Sequence, residues 1–357
     1  MKRNVPVKHF KVKKFFLIAL GFIIFNAASP ALLRAGSQAE SQSKPQRTIT
    51  INLASSLPRN SPWGRTLDRI ASEWARETNG EVTLHILHQY PGSEGDYLMK
   101  LRQDKIQAAI FTSIALNSIA PEIMALSIPF LIRDNDELDA VLNEVRPLLD
   151  SRIEEEGYVN MAWAKAGWVK IFSQSPVFTP DDLRRLKLGT NPDEQELLDA
   201  FRTMGFNMVP VGLTDVVQRL NSGMVEAVYQ SPIAVSAYQL YRVAKNMSTI
   251  NLAPFMGGIL MSRKSWASIP EKYRPALKES CQRARIEIEG SFQKSEEEAV
   301  IAMQQDGLTV NVASQALQDE WYRDMGQYLP DLVNRNVFNK NMYDRIQVIL
   351  QKYRQGR

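Results

Sequence analysis

Two histidines, His85 and His88, stand three residues apart, and one cysteine, Cys281, stands alone. These residue types ligate metals or act as nucleophiles and bases, so their settings decide what chemistry is open. The run 82–88 alternates like a strand, which turns residues three apart to opposite faces, and one metal ion cannot easily take both imidazoles. Cys281 has no partner for an intramolecular disulfide. Leu277, Ala284 and Ile288 recur around it at helical spacing, the setting of a buried small apolar residue. Asp181 and Asp182 follow Thr179-Pro180 and suit the first turn of a helix better than an acid–base pair. The chain has no G-x-S-x-G, no Walker A loop, no G-x-G-x-x-G after a strand and no H-E-x-x-H. These residues call for no metal and no cofactor, and they favour a binding protein over an enzyme.

The elements that would position a binding site fit a chain of 357 residues with 44% hydrophobic and 23% charged residues, ordinary values for a globular protein of one or two domains. The pI near 9.0 suggests a nucleic-acid partner, but the basic excess is local. Seven Lys/Arg and no acid fall in residues 1–35; removing those seven from the 43 leaves 36 basic against 39 acidic residues. The remainder is mildly acidic, so no polyanion is expected as its partner. Lys11, Lys13 and Lys14 precede an apolar run from Phe15 to Phe25, and small residues follow it. That order makes residues 1–35 a secretory signal peptide and places the mature chain in the periplasm. Residues 36–47 read as a flexible polar leader.

From residue 48 the pattern alternates strand and helix, which predicts an α/β fold with helices covering sheets. Strands are expected at 48–54, 82–88, 108–111, 159–164, 169–173 (flanking a break at Gly167), 186–188, 207–211, 227–229 and 249–252. A helical stretch from Pro270 to about Gln305 would run on the order of 50 Å, long enough to brace two lobes. The expected organisation is a first lobe of 48–166 and 254–295, a second of 167–253 and 296–330, and a C-terminal helical segment, 331–357, with a cleft between the lobes.

Four ordered segments carry a resemblance: EWARETNGEVTLHILHQYPGSEGD (73–96), ALSIPFLIRD (125–134), WAKAGWVKIFSQSPVFTPDDLRRLKLGTNP (163–192) and MGFNMVPVGLTDVVQRLNSGMVEAVYQSP (204–232). Together they resemble the extracytoplasmic solute-binding subunit of a tripartite ATP-independent periplasmic (TRAP) transporter, the DctP type. The resemblance implies a two-lobed periplasmic binding protein fold with crossing strands. It also implies a small-molecule ligand held between the lobes and delivery to TRAP membrane permease subunits.

The sequence departs from that family where the resemblance implies that arginines grip a carboxylate. The strand after the P-x-D-L-x-G-L-K pattern gives Gly189 in place of Arg, and the second basic position falls on Val169. The position of the usual Asn falls on Gln230, and the acid before it is Tyr229. Phe130, Trp168, Val169, Gly189, Tyr229, Gln230 and Pro232 are therefore the expected ligand-binding residues. Such a cleft suits an apolar or amphipathic ligand. Trp163, in the same stretch, reads better as core. A variety of the family that lacks the signature Arg and pairs with a TPR-repeat protein is similar. Two alternatives stay open: a carboxylate receptor using another cation, with Lys165 the candidate, and a ligand sensor without a permease.

Overall fold

The structure, a computed structural model, describes residues 48–356 apart from 193, 213 and 214. The signal-peptide and leader readings for 1–35 and 36–47 lie outside the described residues.

The first stretch contains β1 (Ile49–Ala54), α1 (Pro62–Glu77), β2 (Val82–Leu87), α2 (Glu94–Arg102), β3 (Ala108–Thr112), α3 (Ser113–Asn117) and α4 (Asn135–Glu155). Next come β4 (Tyr158–Ser173), α5 (Pro180–Arg184), β5 (Lys187–Thr190), α6 (Gln195–Thr203), β6 (Asn207–Pro210), α7 (Val216–Asn221), β7 (Ala227–Gln230) and α8 (Pro232–Ala237). The chain continues through β8 (Asn246–Ser248), β9 (Ala253–Ser262), α9 (Arg263–Ser268), α10 (Arg274–Gln305) and β10 (Thr309–Asn311). It closes with α11 (Gln315–Gly326), α12 (Leu329–Asn334) and α13 (Lys340–Gln355).

Local chemistry accounts for the element starts. Ser61 caps α1 by accepting the Gly64 N–H at 3.0 Å, and Pro62 sits in the first turn, where its missing N–H costs nothing. Leu67, Ile70 and Trp74 then form the buried stripe of that helix. Ser93 with Asp96, and Thr179 with Asp182, form reciprocal capping boxes on α2 and α5, so the acid pair at 181–182 does open a helix. His85 faces Asn52 at 3.1 Å, whereas His88 meets Asp68 at 2.8 Å, so the two imidazoles are separately engaged. Cys281 is buried among Leu277 and Ala284, and burial pushes its thiol up to about 12.

The sheet order β2-β1-β3-β9-β4-β7-β5-β6 has two parallel ends, β2-β1-β3 and β7-β5-β6, separated by the antiparallel strands β9 and β4. β4 belongs to both halves. Tyr158–Ala164 pair with β9, and Lys170–Ser173 pair with β7. β8 adds to the end of β4 and carries β10 beside it. α10, about 48 Å long at 1.5 Å per residue, contacts α1, β4 and α8. The bracing helix expected from the sequence is therefore present. The C-terminal α13 lies on α4, where the Arg354 guanidinium pairs with the buried Glu137 carboxylate at 2.7 and 2.8 Å. Among the described residues no helix is long and apolar enough to cross a membrane.

Two strand expectations change. The expected strand 249–252 only links β8 to β9, and it is β9 that crosses with β4. Pro254 and the pair Gly257-Gly258 interrupt an otherwise apolar run, and interruptions of that kind conceal a strand buried on both faces. Gly167 does not end a strand. Its φ of +92° forms an irregularity inside a continuous β4, between the Lys165–Met256 and Trp168–Pro254 pairs.

Candidate functional site

Ligands of open α/β sheets gather beyond the carboxyl ends of the strands. Here the ends of β3, β5, β6 and β7 converge on the crossing of β4 and β9. A cavity of about 160 Å³ opens there, walled by Ser113, Val169, Gly189, Thr190, Val211, Val228, Tyr229, Gln230, Ala253 and Pro254 among others. Its described wall includes no lysine, arginine or histidine, and one carboxylate, Glu194. A second cavity of about 280 Å³ lies against β3, β9, α8 and α10. Ala162, Ala164, Ile233 and the stacked pair Trp63–Phe292, with ring centroids 4.1 Å apart, make most of it apolar. Glu94 and Arg285 are its charged wall residues. The Arg285 guanidinium donates to Glu289 at 2.9 Å and Gln282 at 3.3 Å. Burial raises the Glu94 carboxyl, against the pull of hydrogen bonds from the Thr112 backbone and hydroxyl at 3.0 and 2.9 Å.

Val169, Gly189, Tyr229 and Gln230 all lie on the first cavity's wall. The Tyr229 hydroxyl donates to Glu194 Oε2 at 2.7 Å and also bonds Thr190 Oγ1, while its ring packs against Phe201. Burial, then the Glu194 charge, drives the phenol far above its ordinary range, so it stays protonated at neutral pH. The Ser231 N–H donates to Gln230 Oε1 at 2.9 Å and fixes that amide at the start of α8. At Gly189, a Cβ would come 2.9 Å from Val225 Cγ1 and 3.0 Å from Val211 Cγ1. The two valines occupy the space that the first atom of any side chain at 189 would need.

The other three expected residues are not on this wall. Phe130 is buried, with a φ of +63°; its N–H donates to the Leu252 carbonyl at 2.7 Å and its ring stacks on Trp321. Trp168 donates through Nε1 to Asn135 Oδ1 at 3.0 Å, and Trp163 donates to Asp150 at 2.8 Å, so both are held by α4. Strict alternation would set residues five apart on opposite faces. The irregularity at Gly167 resets the phase and turns Trp168 to the same side as Trp163. Pro232 is a buried first-turn residue of α8, behind the cap made by Ser231.

Neither lysine near the crossing lines either cavity. Lys165 Nζ pairs with Asp139 at 2.8 and 2.9 Å. Lys170 Nζ donates to the Thr249 carbonyl at 2.8 Å and Asn251 Oδ1 at 2.6 Å, and desolvation lowers it to about 8 despite the pull of Glu296. The sequence reading passed over Thr190, Glu194 and Phe255. Thr190 ends the strand that bears Gly189 and Glu194 lies four residues beyond it, and that closeness was a usable signal. Phe255 lay in the concealed strand β9.

Residues 53–336 match the family described as bacterial extracellular solute-binding protein, family 7 (DctP). A solute-binding protein of Chromohalobacter salexigens is 24% identical over 268 residues, covering 74% of this chain and 78% of its own. The C4-dicarboxylate-binding periplasmic protein DctP of Rhodobacter capsulatus is 21% identical, covering 73% and 79%. A TRAP periplasmic solute-binding protein of Roseobacter denitrificans, solved with bound β-D-glucuronate, superposes with a TM-score of 0.73 at 19% identity, over 84% of this chain and 99% of that one. At that identity the likeness speaks for the two-lobed fold alone.

Proposed function

We propose a function from one premise: the chain belongs to the DctP family, family 7 of the bacterial extracellular solute-binding proteins, whose members are receptors and not enzymes. On our reading it captures a small apolar or amphipathic molecule in the cleft at the β4–β9 crossing, in the periplasm. It then delivers the molecule to TRAP membrane permease subunits, with a TPR-repeat protein as a further partner. The observation that carries the ligand class is the first cavity's wall, which has Gly189 and Val169 where the resemblance implies guanidinium groups and no other described cation.

The energetics follow from that wall. A charge-assisted hydrogen bond contributes about 1.5–3 kcal/mol, and a carboxylate buried without one is left stranded at a similar cost. Each methylene buried against the valines and Leu240 instead contributes about 0.8 kcal/mol. Gln230 supplies amide donors for one polar end of the ligand. A second reading, a carboxylate receptor, is favoured by Arg285 on the wall of the larger cavity, although Glu289 already engages that guanidinium.

Native mass spectrometry of the purified protein, with extraction of any co-purified hydrophobe, tests the apolar reading. Calorimetry with succinate, malate, sialic acid and glucuronate complements it. An aliphatic ligand with weak or undetectable binding of all four acids is expected. Micromolar or tighter binding of any acid, lost in Arg285→Gln, would replace the apolar reading with the carboxylate one.

A further inference from the structure

Residues close together in the chain line both cavities at three places. Ser113 lines the smaller and Thr112 the larger; Gln230 lines the smaller and Ser231 the larger; and Pro254 lines the smaller while Met256 lines the larger. Phe255, between the last two, is a wall of both. It stands opposite Ala166 and Gly167, where the β4–β9 register slips. Phe255 is half-buried at the crossing. Neither cavity alone, at about 160 and 280 Å³, reaches the roughly 300 Å³ at which pockets for drug-sized ligands begin, but together they pass it.

We propose that the two cavities are consecutive chambers for one elongated amphipathic ligand, and that Phe255 is the partition its chain must pass, setting the length the receptor accepts. This rests on the apolar reading above and adds the ligand's shape. The polar end sits in the smaller chamber, where Gln230, Thr190 and the Tyr229–Glu194 pair concentrate the hydrogen-bonding groups. The aliphatic end runs past Phe255 into the larger chamber, toward Ala164, Ile233 and the Trp63–Phe292 stack.

The test is a calorimetric series of straight-chain primary alcohols from six to fourteen carbons, on the wild-type protein, Phe255→Trp and Ile233→Trp. Affinity of the wild type should rise about fourfold per methylene until both chambers are filled, and then level off. Phe255→Trp, by narrowing the passage, should bring the plateau to chains several carbons shorter. Ile233→Trp fills the far chamber without touching the partition, and it should shorten the plateau in the same way. This second variant keeps the test intact if Phe255→Trp fails to fold. Alcohols that bind all three proteins with one common plateau would overturn the two-chamber inference and leave the apolar reading standing. Failure of every alcohol to bind wild type, alongside tight binding of a carboxylic acid, would overturn both.

Discussion

At the residue scale, Gly189 shows how an absent side chain becomes a structural requirement. Val211 and Val225 come within about 3 Å of where a Cβ would stand, and their β-branched rotamers give way at a cost. Gly189→Ala should therefore destabilise by roughly 1–3 kcal/mol through overpacking. A urea midpoint equal to that of wild type would refute this account of the glycine. Gly189→Arg adds a desolvated charge to the same crowding and should weaken an aliphatic ligand about tenfold or more, measured by calorimetry. Lys170 supplies a pH signature. Its folded pKa of about 8 lies below the 10.5 of a free lysine, so between those values the unfolded chain holds more protons and stability rises with pH. The stability difference between wild type and Lys170→Met should shift in favour of wild type from pH 8 to 10.5 and stay flat from pH 6 to 7. Thermal melts with no such divergence would show that the ammonium is not desolvated.

At the element scale, the crossing strands and two helices position the cleft. The alternation of helices and strands along the first 200 or so described residues was legible because each element carries its own cap, period or turn. Ser61, the Ser93–Asp96 box and the Thr179–Asp182 box are examples. β9 was not legible, because a strand covered on both faces loses the period-2 signal, and Pro254 and Gly257-Gly258 lower its apparent propensity. The C-terminal helix makes a separable prediction. Arg354 is the partner of the buried Glu137 and also donates to the Leu131 carbonyl at 3.0 Å. Its removal takes the cation from a buried carboxylate at the start of α4 that keeps the Arg133 N–H at 2.9 Å. Arg354→Ala should cost about 2–3 kcal/mol, less than a fully buried pair because the arginine is partly exposed. A loss under 0.5 kcal/mol in urea denaturation would mean that α13 is held by its apolar contacts alone.

At the scale of the whole molecule, the candidate site belongs to neither half of the sheet by itself. β4 and β9 cross between the halves, and the walls of both cavities draw residues from each side of that crossing. A ligand touching both sides stabilises whichever arrangement brings them together, so binding should compact the protein by hinge closure. Small-angle scattering at saturating ligand is expected to show a smaller radius of gyration. An unchanged curve would count against closure as the means by which the loaded receptor is told from the empty one.

What the sequence determined by itself is what short-range chemistry writes: the helix starts, the period-2 strands and the burial of Cys281. That 169 and 189 are a valine and a glycine is a matter of residue identity, which needs no coordinates. The tertiary structure alone decided which aromatic residues meet the cleft. Trp168 and Phe130 looked available, yet one is turned to α4 by an irregularity at Gly167, and the other is drawn into the core by Trp321, nearly two hundred residues away. Side-chain direction beyond an irregular strand depends on pairing register, and register is set by the partner strand. The same reason brings Phe255 to the cleft: its position is fixed by what it faces across β4, a relation between segments about ninety residues apart that local sequence does not encode.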